Sequence, residues 1–313
     1  MRKEIAAGGL TLLLMAGAAF AADPARPPIT SVSHLSVYTS DPVKAERFYV
    51  NDLGAVKMTD PENPQGVRYY FSPTQFVQLL PLPAGTGVGR LDHVAFNTAD
   101  AEGLRRYLAF KKVAVPRRIT KDADGSQWFQ VKDPEGGTVE FVQPPATLPA
   151  IPVNKVSSRI IHVGYVIHDR KLQDTFFRDI LGFKPYWYGG NREGPPTWVS
   201  QQVPDGSDWM EYMIYGKEGT PRLPPTMTQA TAGVMNHFAL GVENIRDAYT
   251  TLWNEDRLQG QVERGQPAVP KIGLDAKWQL NLIDPDGTRA EFMEFKAIGK
   301  PCCSPFTASD PEK

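Results

Sequence analysis

The 313-residue sequence has only two cysteines, five histidines and no surplus of basic residues. The cysteines are adjacent, as Cys302 and Cys303, so they form either a vicinal disulfide or a pair of surface thiols, and they do not staple distant parts of the fold. The alternating Cys/His spacing of a zinc site is also absent. A net charge of −1 without a basic surplus argues against a nucleic-acid partner.

The sequence has one long apolar run, and it lies at the N terminus in the pattern of a secretory signal peptide. "MRKE" is charged, "IAAGGLTLLLMAGAAF" is apolar, and Ala19-Phe20-Ala21 is a small-x-small cleavage site. No later stretch approaches the ~20 apolar residues of a membrane span. We therefore predict a leader over residues 1–21 and a soluble mature protein, secreted or periplasmic, without a membrane partner after cleavage. A retained N-terminal anchor is the alternative.

Four of the five histidines begin segments of the same design: "HLSVYTSD" from His34, "HVAFNTAD" from His93, "HVGYVIHD" from His162 and "HFALGVEN" from His237. In each segment bulky apolar residues alternate with small ones, and a period of two predicts a strand. We expect the bulky apolar face to pack under a helix, and the opposite face, which begins with the histidine, to line a cleft. Each segment ends in Asp or Asn, which can cap a helix. The fifth histidine, His168, is assigned to a solvated position near a helix start.

Several strand-like runs follow each helical pattern, which predicts an α+β fold of four βαβββ modules. The turns "DPEGGTVEF" and "DPDGTRAEF" close modules two and four, so the first pair of modules is echoed by the second. The predicted modules span roughly 30–84, 88–144, 157–217 and 232–297. The predicted domains are 30–144 and 157–297, joined by a Pro-rich linker over 145–156 and followed by a loosely ordered tail over 298–313.

The last strand of each module carries one polar residue among apolar neighbours: Gln78, Glu140, Glu211 and Glu291. Both faces of these strands are largely apolar, so burial of the polar group is expected. An unpartnered buried carboxylate costs several kcal/mol, and Lys and Arg are scarce in these strands. A divalent cation shared with the first-strand imidazoles would neutralise the acids, which predicts metal binding by at least one half.

The repeated His strand, the Leu-Gly helix ends and the "DPxGxxxE" strand resemble the vicinal oxygen chelate superfamily. That superfamily includes glyoxalase I, methylmalonyl-CoA epimerase, bleomycin- and fosfomycin-resistance proteins and extradiol dioxygenases. The resemblance covers about Thr30 to Ala297 and implies that the four modules pair into two cup-shaped open β-barrels. It also implies a metal site formed by His162, Glu211, His237 and Glu291, with a second candidate site formed by His34, Gln78, His93 and Glu140.

These nitrogen and oxygen ligands suit a divalent metal such as Fe, Ni, Zn, Mn or Co. The metal would act as a Lewis acid, with Glu211 or Glu291 as the catalytic base. We favour the C-terminal half as the active one because it has two acids and an aromatic-rich wall. The predicted substrate contacts are Tyr186, Arg192, Trp198 and Trp278, and the alternative for the aromatic residues is packing.

Three activities are compatible with this resemblance. The C-terminal ligand set is similar to that of bacterial glyoxalase I, which implies a lyase or isomerase acting on a small molecule that chelates the metal through adjacent oxygens. An Fe(II)-dependent extradiol ring-cleaving dioxygenase is the alternative, but Asn281 stands where that family has Tyr, and Glu211 fills a position usually left for oxygen or substrate. A non-catalytic protein that binds a small molecule is the third reading. An oligomer is compatible with the sequence.

Overall fold

The computed structural model describes residues 24–84, 91–190, 196–214, 236–263 and 265–311, so the predicted leader lies outside the described residues. Two eight-stranded sheets organise these residues, one from each half of the chain. The predicted α+β fold of paired cups is confirmed. None of the helices in the described residues is both long and apolar enough to cross a membrane.

The first sheet has the strand order β2-β3-β4-β1-β5-β8-β7-β6. Its two central strands run antiparallel, and each is parallel to the last strand of its own module. This arrangement places the first and last strands of both modules side by side in the middle of the sheet. The strands are β1 Ile29–Thr39, β2 Val56–Thr59, β3 Val67–Ser72, β4 Gln75–Pro81, β5 Leu91–Thr98, β6 Thr120–Lys121, β7 Gln127–Lys132 and β8 Thr138–Gln143.

The second sheet repeats this order as β10-β11-β12-β9-β13-β18-β17-β16. The fourth module departs from the predicted βαβββ plan because a separate two-stranded hairpin, β14-β15, precedes its last three strands. The strands are β9 Ile160–Ile167, β10 Lys184–Gly189, β11 Trp198–Gln202, β12 Trp209–Ile214, β13 His237–Val242, β14 Val262–Glu263, β15 Gln266–Pro267, β16 Lys271–Ile272, β17 Trp278–Ile283 and β18 Arg289–Glu294.

The helices begin where the sequence predicts caps. Side chains of the four predicted cap residues, Asp or Asn, accept hydrogen bonds from backbone N–H groups two or three residues later. Gly54 and Gly182 follow the first and third helices with φ of +75° and +82°, which glycine adopts without strain. The helices are α1 Pro42–Glu46, continued as a π-helix over Arg47–Asp52, α2 Ala101–Phe110, α3 Arg170–Asp174, continued as a π-helix over Thr175–Ile180, and α4 Ile245–Asn254.

Each of the two "DPxG" turns accepts hydrogen bonds from the opposite half of the chain. Asp286, in the turn of module four, accepts a hydrogen bond of 2.9 Å from the backbone N–H of Ser40, at the end of β1. Glu135, in the turn of module two, accepts bonds of 2.9 and 2.7 Å from the N–H groups of His168 and Asp169, at the end of β9. Each turn therefore holds the first helix of the opposite half, while the strand after it carries the candidate ligand.

The C-terminal tail packs against the second sheet, so the expectation of a loose tail is wrong for residues 298–311. Thr307 N donates to Tyr186 O at 3.0 Å, and Asp310 forms an ion pair of 2.7 Å with Lys277 Nζ. The adjacent cysteines form a vicinal disulfide. The sequence did not indicate this packing, because the tail has no periodic pattern of apolar residues. Its partners are single polar groups on distant strands.

Candidate metal centres in two cups

The first cup brings His34, His93 and Glu140 together from three neighbouring strands, β1, β5 and β8. The two imidazole Nε2 atoms lie 2.8 Å apart. The carboxylate oxygens of Glu140 lie 3.7 Å from His34 Nε2 and 3.6 Å from His93 Nε2. All three side chains are almost completely buried. The antiparallel pairing of β1 with β5 and the parallel pairing of β5 with β8 produce this convergence.

Outer partners orient both imidazoles of the first cup. Ser33 Oγ lies 3.1 Å from His34 Nδ1, and Asp92 Oδ2 lies 2.6 Å from His93 Nδ1. Burial lowers the pKa of His34. Burial also disfavours the charged form of His93, but the charges of Glu140 and Asp92 outweigh it and hold that pKa above its ordinary value. With each Nδ1 engaged, each Nε2 is directed towards the shared centre.

Gln78, the fourth candidate ligand of this half, contacts a group of charged side chains that sequence reasoning missed. Its Nε2 donates to Asp60 at 2.7 Å and to Glu62 at 3.3 Å, which leaves its Oε1 buried without a hydrogen-bond partner. Arg68 forms ion pairs of 2.9 Å with Asp60 and 3.1 Å with Glu62. Burial, together with the charge of Glu140, raises the pKa of Glu62 to about 8. The acidic side chains of this cup, Asp60, Glu62 and Glu140, therefore outnumber the one arginine that pairs with them.

In the second cup the ligand atoms of His162, Glu211 and His237 all lie within 4.8 Å of one another, and Glu291 lies beside His162. The Nε2 atoms of His162 and His237 lie 3.1 Å apart. Glu291 Oε2 lies 3.5 Å from His162 Nε2, and Glu211 Oε2 lies 3.5 Å from His237 Nε2. Ser200 Oγ donates to the other oxygen of Glu211 at 3.3 Å. Each imidazole therefore has a carboxylate at its metal-binding nitrogen.

Both donor sets fit a divalent metal. Two ligands at a right angle, each about 2.1 Å from a metal, are about 3 Å apart. The separations between Nε2 atoms, 2.8 and 3.1 Å, agree with that value. In the first cup Gln78 Oε1 and Glu140 Oε1 are buried oxygens without a hydrogen-bond partner among the described residues, and a cation would satisfy both. Neutral imidazoles and carboxylates suit Zn, Fe, Mn, Co or Ni.

The two carboxylates of the second cup have pKa values displaced in opposite directions. Burial raises the pKa of Glu211 despite the opposing charge of His162. Burial acts the same way on Glu291, but the charge of Arg289, 3.2 Å away, and the hydrogen bond with His162 outweigh it and hold that pKa well below its usual range. Such a split is typical of sites in which one carboxylate accepts protons and the other stays ionised.

The second cup opens into a cavity of about 250 Å³. Of the predicted substrate contacts, Trp198 lines this cavity. Tyr186 lies instead under the tail, with its ring 4.9 Å from that of Phe306, and Trp278 packs against the main core. Arg192 lies outside the described residues. The cavity lining also includes Trp187, which belongs to the aromatic-rich wall predicted for this half. Lys271 and Arg289 line the cavity too, and sequence reasoning did not select them. Of these two, Arg289 left a signal, because it stands two residues before Glu291 in a strand.

Comparison with known proteins agrees with this geometry. Homoprotocatechuate 2,3-dioxygenase from Brevibacterium fuscum, in complex with 3,4-dihydroxyphenylacetate, has a TM-score of 0.62 and 19% identity, with 87% of this chain and 82% of that chain covered. The same enzyme from Arthrobacter globiformis has a TM-score of 0.62 and 17% identity, with coverages of 86% and 80%. No curated protein matches the sequence.

The fold is therefore the vicinal oxygen chelate fold, in two consecutive copies of the paired-module cup. Residues 31–141 match the model of the Glyoxalase/Bleomycin resistance protein/Dioxygenase superfamily.

Proposed function

We propose that this protein is a metal-dependent enzyme of the glyoxalase type, a lyase or isomerase whose active site is the second cup. The observation that carries the proposal is the convergence of two imidazoles and two carboxylates at one end of an open cavity. A six-coordinate metal held by four protein ligands would have two positions open, which would suit a small substrate with two neighbouring oxygens.

A divalent metal held by His162, Glu211, His237 and Glu291 would polarise a chelated carbonyl as a Lewis acid. Glu211 would accept the proton from the carbon next to that carbonyl, since one of its oxygens faces the centre and Ser200 positions the other. Trp187 and Trp198 contribute apolar surface to the cavity.

The first cup is assigned a structural role. Its ligand set is buried beside Arg68 and Asp60, and Arg68 forms ion pairs with Asp60 and with the half-buried Glu62. Closed sites that lack an open coordination position are typical of structural metals. The second cup differs because its carboxylates line a cavity.

Hydrogen–deuterium exchange into dihydroxyacetone, followed by proton NMR in D₂O, tests proton transfer directly. The metal-loaded protein should catalyse exchange without oxygen, and Glu211→Gln should slow it by about 100-fold to 10,000-fold, the usual contribution of a general base. Metal content should persist in this variant, because Gln78 occupies the equivalent position of the first cup. Glu102→Gln, on the surface of α2, is the control and should exchange at the original rate. Equal rates in both variants would contradict the proposal.

An Fe(II)-dependent extradiol dioxygenase is the second candidate. His162, His237 and Glu291 form a two-histidine, one-carboxylate set of the kind that binds non-heme iron. The similar solved structures that span most of the chain are extradiol dioxygenases, which supports this reading at the level of the fold. Oxygen uptake by the iron-loaded protein with a panel of catechols separates the two activities. Ring opening coupled to oxygen uptake would replace the lyase or isomerase assignment.

Export remains a prediction that rests on the leader pattern of residues 1–21. The Cys302–Cys303 disulfide supports it, because disulfides persist in oxidising compartments. Cell fractionation followed by N-terminal sequencing should recover a mature chain that begins near Ala22 in the periplasm or medium. Recovery of the chain from the cytosol with its N terminus intact would contradict export.

A further inference from the structure

Each cup contains one arginine beside its ligand strands, but at different positions. In the first cup Arg68 pairs across the sheet with Gln78, and in the second cup Ser200 occupies the equivalent position opposite Glu211. Arg289 is instead the sheet neighbour of His237 and stands two residues before Glu291 in β18. A period of two places it on the same face as Glu291.

The two arginines differ in how their charge is satisfied. Arg68 forms ion pairs with Asp60 and Glu62 and lies 4.5 Å over the ring of Phe76. The Nε of Arg289 lies 3.2 Å from Glu291, its one carboxylate partner among the described residues. Arg289 also lines the cavity of the second cup. Arg289 therefore has fewer charge partners than Arg68, and a molecule in that cavity can contact it.

The remaining charges near the cavity are largely balanced. Lys271 pairs with Glu263, and Lys277 pairs with Asp310. A divalent ion would balance the two ligand carboxylates, Glu211 and Glu291, and Glu291 is also the carboxylate that pairs with Arg289. Arg289 is therefore a cation of the cavity lining whose carboxylate partner would be shared with the metal.

We propose that Arg289 binds an anionic group of the substrate, so that the second cup selects small molecules that carry a carboxylate in addition to the two chelating oxygens. A planar guanidinium matches a carboxylate through two parallel hydrogen bonds. This inference rests on the proposed function, because it requires a metal-loaded second cup. It adds the substrate class, which the ligand set alone leaves open.

Calorimetric binding of three matched chelators to the zinc-loaded full chain tests this inference without turnover. Catechol is neutral, whereas 2,3- and 3,4-dihydroxybenzoate add a carboxylate at two different distances from the chelating oxygens. At least one dihydroxybenzoate should bind about 10-fold to 100-fold more tightly than catechol, the range for hydrogen bonds to a charged group. Arg289→Gln should abolish that preference while catechol binding stays within about threefold, and Arg289→Lys should restore part of it.

Lys271→Gln is the matched control, because it removes the other cation that lines the cavity and should keep most of the preference. Zinc content and unfolding temperature are measured on every variant. A wild-type protein that binds neither zinc nor any chelator would overturn the proposed function itself. A zinc-loaded protein that binds all three chelators equally, or an Arg289→Gln variant that keeps the preference, would overturn only the role of Arg289.

Discussion

The imidazoles of the two cups differ in the group that precedes them along the chain. Asp92 precedes His93 and holds its Nδ1 at 2.6 Å, and Tyr38 donates a short hydrogen bond to the other oxygen of Asp92. In the second cup Asn236 precedes His237, so an amide replaces the carboxylate. A carboxylate partner fixes the imidazole ring and makes the ligating nitrogen more basic. His93 is therefore expected to be a stronger metal ligand than an imidazole without such a partner.

Asp92→Asn should weaken metal binding by the first cup by about 10-fold to 100-fold, as is usual when an outer-shell carboxylate is lost. The measurement is a competition titration with a chromogenic chelator, performed in a His237→Ala background so that the first cup dominates. Glu102→Gln, which removes a carboxylate from α2 in the same half, is the control. An affinity equal to that of the control would show that Asp92 does not tune this site.

At the scale of single residues, the positions of the candidate ligands could be read from the sequence, whereas their surroundings could not. The eight candidate ligands followed from a period of two in strands that share one design, so their common face was readable. Arg68 and Ser200 enter the cups from neighbouring strands, and their placement depends on cross-strand register. Register is set by packing between strands that are distant in sequence, so these residues could not be selected in advance.

No sequence pattern indicated the role of the C-terminal tail, residues 298–311. Lys277 is completely buried, and its ammonium group contacts Asp310, the carbonyl of Phe295 and the rings of Trp209 and Phe306. Trp209 in turn lies 4.6 Å from the ring of His162. The tail therefore supplies the counter-ion for a buried cation that borders the second cup.

Asp310→Asn should destabilise the protein by about 3 kcal/mol at pH 7, because it leaves a buried ammonium without its counter-ion. Burial lowers the pKa of Lys277 below its unfolded value of 10.5, so the unfolded chain binds more protons and stability from this group rises with pH towards 10.5. The loss should therefore be smaller at pH 10 than at pH 7. Urea unfolding at both pH values measures it.

Lys277→Met in the Asp310→Asn background is the matched control, since it removes the unpaired charge and should recover most of the lost stability. A single Asp310→Asn variant as stable as the wild type at pH 7 would show that the tail does not neutralise Lys277.

At the scale of the whole molecule, the sequence predicted the duplicated arrangement of strands but not the contacts that join the two halves. The four His segments and the two "DPxG" turns predicted two paired-module sheets, and both are present in the same strand order. The contacts of Glu135 with His168 and of Asp286 with Ser40 join residues from opposite halves. No periodic pattern encodes such contacts, because each depends on how two finished sheets meet.

The two cups have similar ligand sets but different surroundings, which suggests that they have different roles. The ligands of the first cup lie beside the ion pairs of Arg68 with Asp60 and Glu62, whereas the second cup opens into a cavity beside Arg289. Removal of a ligand from the first cup is therefore expected to affect stability more than turnover. Removal of a ligand from the second cup should affect turnover directly.

Elemental metal analysis of the mature protein, with His93→Ala and His237→Ala alongside, tests the central claim most directly. We predict about two metal ions per wild-type chain and about one in each variant, since both donor sets fit a divalent ion. Turnover should survive in His93→Ala and disappear in His237→Ala. Unchanged metal content in both variants would contradict the assignment of these cups as metal centres.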